Sequence, residues 1–147
     1  MRQPYQVLII PYVKREGHVL FAVFHRKSGF WQFIAGGGED GETVLKTAQR
    51  ELAEETGVRD KRIVGLETVC AVPVNVFSRK DTSHWNNMFV VPEYSFAVDL
   101  EGMAIFLSDE HDKMEFCDYE AALKLLKYDS NKTALFELNE KIKRNII

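Results

Sequence analysis

Apolar side chains near the start of the chain come in two dense runs, YQVLIIPYV at residues 5–13 and HVLFAVFHR at 18–26, parted only by KREG. Their β-branched and aromatic content, with a short polar break between them, predicts a pair of strands. A different period takes over from about Thr43 to Thr56. At about 100° per residue Val44, Leu45, Ala48 and Leu52 fall on one arc, which predicts a helix with that arc against the core. Strand-type patterning returns in RIVGLETVCAVPVNVF (62–77) and EYSFAVDL (93–100), with the polar SRKDTSHWNN (78–87) as a loop between them. Two helices are expected to close the chain, one capped by Asp118 in DYEAALKLLK and one following Ser130 in NKTALFELNEKIKR. This irregular alternation predicts an α+β fold, a mixed sheet layered with helices. No linker, low-complexity tract or internal repeat divides residues 1–147, which read as a single domain.

Charge and cysteine usage narrow the possible partners. A net charge of −3 gives no broad cationic surface for long nucleic acid or an anionic membrane, so a phosphate-bearing ligand must be held locally or through metal ions. No apolar run approaches the roughly 20 residues that span a bilayer. The opening MRQPYQVLII also lacks the pattern of a signal peptide, and a cytoplasmic location is expected. Cys70 and Cys117 form no CxxC pair, and His18, His25, His84 and His111 lack zinc-ligand spacing. Both thiols are expected to be reduced core residues.

The stretch RELAEETG, residues 50–57, sets three glutamates within five positions of the predicted helix. Glu55 projects into the apolar arc, Glu51 lies at its edge and Glu54 a little further round, so the carboxylates converge at the margin of the buried face and repel one another. A divalent cation is the counterion that converging hard oxygens suit, Mg²⁺ in particular. The alternative is an ordinary charged helix face screened by Arg50, Lys46 and solvent. In front of the helix, GGGEDGE is either a loop whose glycines let backbone approach a ligand closely and adopt positive φ, or a flexible turn. Gly57 is placed to end the helix in the left-handed conformation.

From Gly36 five residues lead to Glu42, seven more lead to Arg50, and Glu51, Leu52, Glu54, Glu55, Gly57 and Val58 follow at fixed spacing. This array is identified as the signature of the Nudix hydrolases. The resemblance implies a mixed sheet sandwiched between helices, the Nudix α/β/α arrangement, and cleavage of a pyrophosphate linkage in a small nucleotide with Mg²⁺ or Mn²⁺. It also implies metal binding by Glu51, Glu54 and Glu55, pairing of Arg50 and Glu42 between helix and preceding loop, and a carbonyl of Ala35 or Gly36 as a further oxygen ligand. Where many relatives have Pro-Gly-Gly, this chain has Ile34, Ala35 and Gly36. FWQFIAGGGEDGET is similar instead to the dihydroneopterin triphosphate pyrophosphatases, also described as dATP pyrophosphohydrolases. The segment LSDEHDKMEFCDYEAALKLL resembles theirs too, with Glu110 and His111 as a Glu-His pair shared with the asymmetrical dinucleoside tetraphosphate hydrolases. Met114 and Phe116 replace the tyrosine and tryptophan that follow in those groups, which weakens any stacking role there. The expected reaction is hydrolysis of a nucleoside or pterin triphosphate to monophosphate and pyrophosphate. The alternatives are a dinucleoside tetraphosphate hydrolase, or a non-catalytic nucleotide sensor, which would usually have lost signature carboxylates that this chain keeps.

The catalytic candidates are therefore Arg50, Glu54 and Glu110, the last as outer metal ligand or as general base, with Glu93 and Glu115 next in line. Candidates for substrate contact are Arg26, with His25 beside it, the backbone of Gly36 and Gly37, and the aromatic residues Trp31 and Trp85. For Arg26 and His25 an exposed strand-end charge is an equal reading. Trp31 is more often a core residue, its neighbour Gln32 can be either, and Trp85 is a base-stacking surface or an anchor for its loop.

Overall fold

In the computed structural model, which describes residues 1–147, seven strands and four helices follow one another along the chain. They are β1 (Gln6–Arg15), β2 (His18–Arg26), β3 (Trp31–Gln32), β4 (Ile34–Gly37), α1 (Val44–Thr56), β5 (Ile63–Pro73), α2 (Arg79–Thr82), β6 (Val90–Asp99), β7 (His111–Cys117), α3 (Tyr119–Leu125) and α4 (Asp129–Lys143). β1 is the strand around which the rest is arranged. Its side chains alternate between two cores: Val7, Ile9 and Val13 enter one, and Leu8, Ile10 and Tyr12 the other. A strand buried on both faces reads as a continuous apolar run, and that is why YQVLIIPYV shows no polar alternation.

A two-residue turn with positive φ at Glu16 (49°) and Gly17 (79°) folds β1 back onto β2, as the KREG break predicts. β6 runs parallel to β1 on the other edge, and β5 lies antiparallel outside β6. Along its first edge β1 is shared, with residues 12–15 pairing with β2 and residues 6–9 with β4. β3 and β7 both pair with β2. Ala48 and Leu52 of α1 close the first core, while Ala122 of α3 and Ala134, Leu135 and Leu138 of α4 close the second. The result is the expected α+β architecture, a mixed sheet between α1 on one side and α3 with α4 on the other. No helix is long and apolar enough to cross a membrane.

Several local expectations change. Leu45, placed by periodicity on the core arc of α1, is 44% exposed, and the buried face instead carries Thr47, Glu51, Glu55 and Thr56. Gly36 and Gly37 lie in β4 rather than in a loop, and of the four glycines in GGGEDGE only Gly41 has positive φ (79°). Gly36 is required by close approach, because a Cβ there would overlap the Glu51 carboxylate. β3 and β7 arise in stretches whose patterning was too short or too charged to register as strands. The polar loop at 78–87 contains the single turn of α2, capped by the Ser78 hydroxyl. α4 begins at Asp129, ahead of Ser130, with Tyr128 at the cap position and no side-chain cap. Cys117 is buried as expected, whereas Cys70 is only half-buried on β5; both are free thiols.

Asn131, buried at the start of α4, accepts a hydrogen bond from the Phe33 N–H at 2.9 Å and so fastens the helix to the residue between β3 and β4. Asn131→Ala leaves that buried N–H unpaired and is expected to lower the unfolding free energy by about 1–3 kcal/mol. Urea denaturation at neutral pH measures it, and a loss below roughly 0.5 kcal/mol would mean the N–H finds another acceptor.

Candidate active site

The Arg50 guanidinium sits among the acidic residues of the glycine-rich segment and α1. Its Nε donates to Glu42 Oε2 at 2.7 Å and its Nη2 to Glu42 Oε1 at 3.0 Å, a two-pronged pair. Nη2 also donates to the Gly37 carbonyl at 2.8 Å, while Nη1 reaches Glu51 Oε1 at 3.0 Å and both Glu54 oxygens at 3.3 Å. Like charge in RELAEETG is thus tolerated first through an arginine inside the same string. Glu42 also accepts the Glu39 N–H and the Thr47 hydroxyl, and Arg50 and these donors hold its carboxyl down at about 2.

Glu51 experiences the opposite balance. Burial pushes its carboxyl up to about 7, against the pull of Arg50, with Glu54 and Glu55 adding repulsion. Glu55, equally buried, turns away from Arg50. It accepts the Ser108 hydroxyl at 2.7 Å and lies 3.0 Å from Nδ1 of the buried His111. Burial raises its carboxyl, but these two partners outweigh burial and keep it below the ordinary glutamate value. Glu110 shifts the other way, raised by burial and by the charge of Glu55, although Arg26 stands 3.6 Å away. The three signature glutamates therefore do not converge on one point, since Arg50 separates Glu51 from Glu54 and Glu55 belongs to the His111 side; no three acidic or metal-ligating side chains are gathered as they stand. The donor chemistry nonetheless fits a hard divalent cation. Glu51 is a buried carboxylate whose charge Arg50 only partly offsets, Glu54 is open to solvent beside it, and the missing Cβ of Gly36 lets the Glu51 carboxylate lie directly against the β4 backbone.

Beside Glu51 opens a cleft of about 690 Å³, within the range of small-molecule sites. Arg26, Glu110, Gly36, Gly37 and Glu51 line it. A register shift at His25/Arg26 in the β2–β7 pairing sends Arg26 there, while His25 instead pairs with Asp112 at 2.7 Å. Gln32 lines the cleft, as does Glu93; Glu115 is exposed on β7 and does not.

Two expected contacts lie elsewhere. Trp31 points away from the cleft, edge-on to His25 with ring centres 5.1 Å apart and with the Lys113 ammonium 5.5 Å over its ring. Trp85 is 7% exposed, and its Nε1 donates to the Arg2 carbonyl at 3.2 Å. It packs edge-on to Phe77, so it anchors its loop and is no stacking surface. Met114 and Phe116 pack against the first core. The aromatic walls of the cleft are Phe30 and Tyr128, an edge-on pair with centres 5.3 Å apart, and Phe77. The sequence offered little to find them, although Phe30 follows Gly29, whose φ of 108° marks a turn into the site. Arg2 and Gln6 were missed as well.

The NUDIX domain profile matches residues 2–138. A candidate NUDIX hydrolase from Listeria monocytogenes has a structure 45% identical in sequence, with a TM-score of 0.87 and coverage of 97% of each chain. The dihydroneopterin triphosphate diphosphatase of Escherichia coli is 26% identical over 136 residues, 91% of each protein. An Ap4A hydrolase complex from C. elegans, 18% identical with a TM-score of 0.76 over 97% of this chain and 99% of that one, shares the fold. The chain belongs to the NUDIX family and is a Nudix hydrolase acting on phosphoric anhydride bonds. Enzymes of this family act on small-molecule nucleotides and generally use divalent metals.

The Glu42–Arg50 pair gives the protein an acid-sensitive joint. Glu42 titrates at about 2 in the fold against 4.5 when free, so its contribution is fully present above about 4.5 and is lost as pH falls towards 2. Glu42→Gln is expected to cost about 1–2 kcal/mol at pH 7 after allowance for solvent screening. In urea titrations of metal-free samples, the gap from wild type should close as pH falls towards 2; a gap that stays constant would assign the loss to something other than the carboxylate's charge.

Proposed function

We propose that residues 1–147 act as a single Nudix domain that hydrolyses a nucleoside or pterin triphosphate between its α and β phosphates, giving a monophosphate and pyrophosphate, with Mg²⁺ as cofactor and Mn²⁺ as a substitute. The observation that carries this reading is one continuous cleft of about 690 Å³ that has Glu51, Gly36 and Gly37 as well as Phe30, Tyr128 and Phe77 in its walls. Its volume suits one base with its phosphates. The diphosphatase activity named for the E. coli relative supports the same reaction.

Glu51, Glu54 and Glu55 are the residues that hold the divalent cation, and Ser108 and His111 fix the orientation of Glu55. When bound, the cation supplies charge neutralisation at the phosphate oxygens and makes water more acidic. Arg50 positions Glu51 and Glu54 while tying α1 to the Gly37 carbonyl. Arg26 and the backbone of Gly36 and Gly37, which line the cleft, are the groups that meet the polyphosphate. Glu110 accepts the proton of the attacking water, a role its raised carboxyl suits at neutral pH. As the new P–O bond forms, the bond to the bridging oxygen breaks, and pyrophosphate leaves with that electron pair.

Glu54→Gln is expected to lower kcat by orders of magnitude at an unchanged melting temperature, and a near-normal rate would remove Glu54 from the metal site. Glu110→Gln should act mainly on kcat, by roughly 10²–10⁴-fold; an unchanged kcat would move the proton acceptor elsewhere. Chelator should abolish turnover, and Mg²⁺ or Mn²⁺ should restore it. Hydrolysis in ¹⁸O-labelled water identifies the phosphorus attacked. Inorganic phosphate as first product, or a dinucleoside tetraphosphate turned over faster than every mononucleoside triphosphate, would overturn the substrate class and leave the family standing.

A further inference from the structure

One buried carboxyl in the cleft takes no part in this chemistry. Glu93, on β6 opposite Gln6 of β1, is 3% exposed. Its Oε2 accepts from the Gln6 amide at 2.5 Å, while its Oε1 has no hydrogen-bond partner at all. The Gln6 carbonyl oxygen in turn accepts from Arg2 Nη2 at 3.3 Å, and Arg2 Nε is the second buried polar atom of the cleft left without a partner. A buried unpaired donor or acceptor costs about 1–3 kcal/mol. Two of them, joined through one glutamine and lining the same aromatic-walled space, are therefore groups kept for a ligand. The phosphate chemistry above assigns no role to either: Glu93 lies across β1 from Gly37, and Arg2 packs against Gly37 with its guanidinium 4.6 Å over the Phe77 ring.

We propose that Glu93, with Arg2 held beside it by Gln6, reads the lactam edge of a 2-amino-4-oxopyrimidine ring, the edge shared by guanine and pterin. The inference rests on the triphosphate reading above and names its substrate class. The free Oε1 needs an N–H donor, and the free Arg2 Nε–H needs a carbonyl acceptor. A guanine-type edge offers both, with its ring N–H and exocyclic amine as adjacent donors beside the ring carbonyl. Adenine offers one amine next to a ring nitrogen lone pair, which an ionised carboxylate repels. Hypoxanthine keeps the lactam but loses the amine. Burial raises the Glu93 carboxyl, while the Gln6 amide, by bonding its charged form, and the nearby Ser130 hydroxyl oppose that rise. A ligand N–H against Oε1 would act in the same direction as those two. Phe30 and Tyr128 give such a ring apolar walls, and Lys127, 4.7 Å over the Phe30 ring, braces them from outside.

The test compares GTP, ITP, ATP and dihydroneopterin triphosphate as substrates, and in parallel measures binding of the α,β-methylene analogues of the three nucleotides by calorimetry. For wild type, kcat/KM and affinity are expected to favour GTP over ITP and ATP by at least about tenfold, the size of one good contact to a base edge. The dihydroneopterin triphosphate arm distinguishes a pterin source of that edge from a nucleotide, and either one ahead of ITP and ATP upholds the proposal. Glu93→Gln, which keeps the bond from Gln6 but turns an amide against the ring N–H, should bring the GTP/ATP ratio to within about threefold. ITP or ATP matching GTP and the pterin substrate in wild type, or an unchanged ratio in a folded Glu93→Gln protein, would overturn it. Selective analogue binding without turnover would sink the hydrolytic reading alone, and turnover without base discrimination would sink this one alone.

Discussion

The bidentate grip of Arg50 on Glu42 is the contact on which the site depends, because the same guanidinium joins three pieces of chain. Glu42 belongs to the segment after β4, Arg50 to the middle of α1, and the Gly37 carbonyl to the end of β4. Fixing the three together sets the height of α1 over the sheet end and so decides where Glu51 points. The same guanidinium then spends its remaining N–H groups on Glu51 and Glu54. A lysine could carry the charge but not these directions, since its ammonium lacks the planar fork that serves a carboxylate and a carbonyl at once.

That joint only works because β1 brings the same level of three strands into register. Gln6 faces Gly37 on β4 and Glu93 on β6, so one row across the sheet runs from the phosphate end of the cleft to its ring end. β1 is buried on both faces by Val7, Leu8, Ile9 and Ile10, and its position is fixed by packing rather than by the site. The glycines complete the geometry by omission. A side chain at Gly36 would occupy the Glu51 carboxylate's place, and one at Gly37 would displace the Arg2 guanidinium. Their value here lies in contact distance and not in unusual backbone angles.

Much of this was legible in the sequence, for reasons that differ by element. The β1–β2 hairpin, the approximate limits of α1 with its Gly57 end, and the Asp118 cap of α3 are encoded by neighbouring residues and read correctly. β3 escaped because it is only two residues long, and β4 and β7 because their pairing partners are distant in the chain. β4 is half glycine, and β7 carries Asp112, Lys113 and Glu115 among its seven residues. The signature identified the phosphate end as a string of residue types at fixed spacing. The ring end has no such string: Arg2, Gln6, Phe30, Phe77, Glu93 and Tyr128 come from six separate places and meet only through the sheet. Tryptophans attract attention in a sequence because they are large, yet Trp31 and Trp85 serve to pack the rim.

The two ends of the cleft follow from opposite electrostatic conditions. At the phosphate end a single guanidinium faces Glu42, Glu51 and Glu54, and one cation cannot neutralise three carboxylates. Glu42 takes the strongest share and stays ionised near any working pH; burial raises the Glu51 carboxyl to about 7, and its share of Arg50 does not offset that rise. A group in that condition is completed by a proton or by a metal cation, and only the second also attracts a polyphosphate into an acidic site. The ring end faces no such deficit. Glu93 is alone, buried and already bonded on one oxygen, so its completion requires a neutral donor rather than a charge. A ligand that is anionic at one end and offers N–H groups at the other answers both conditions.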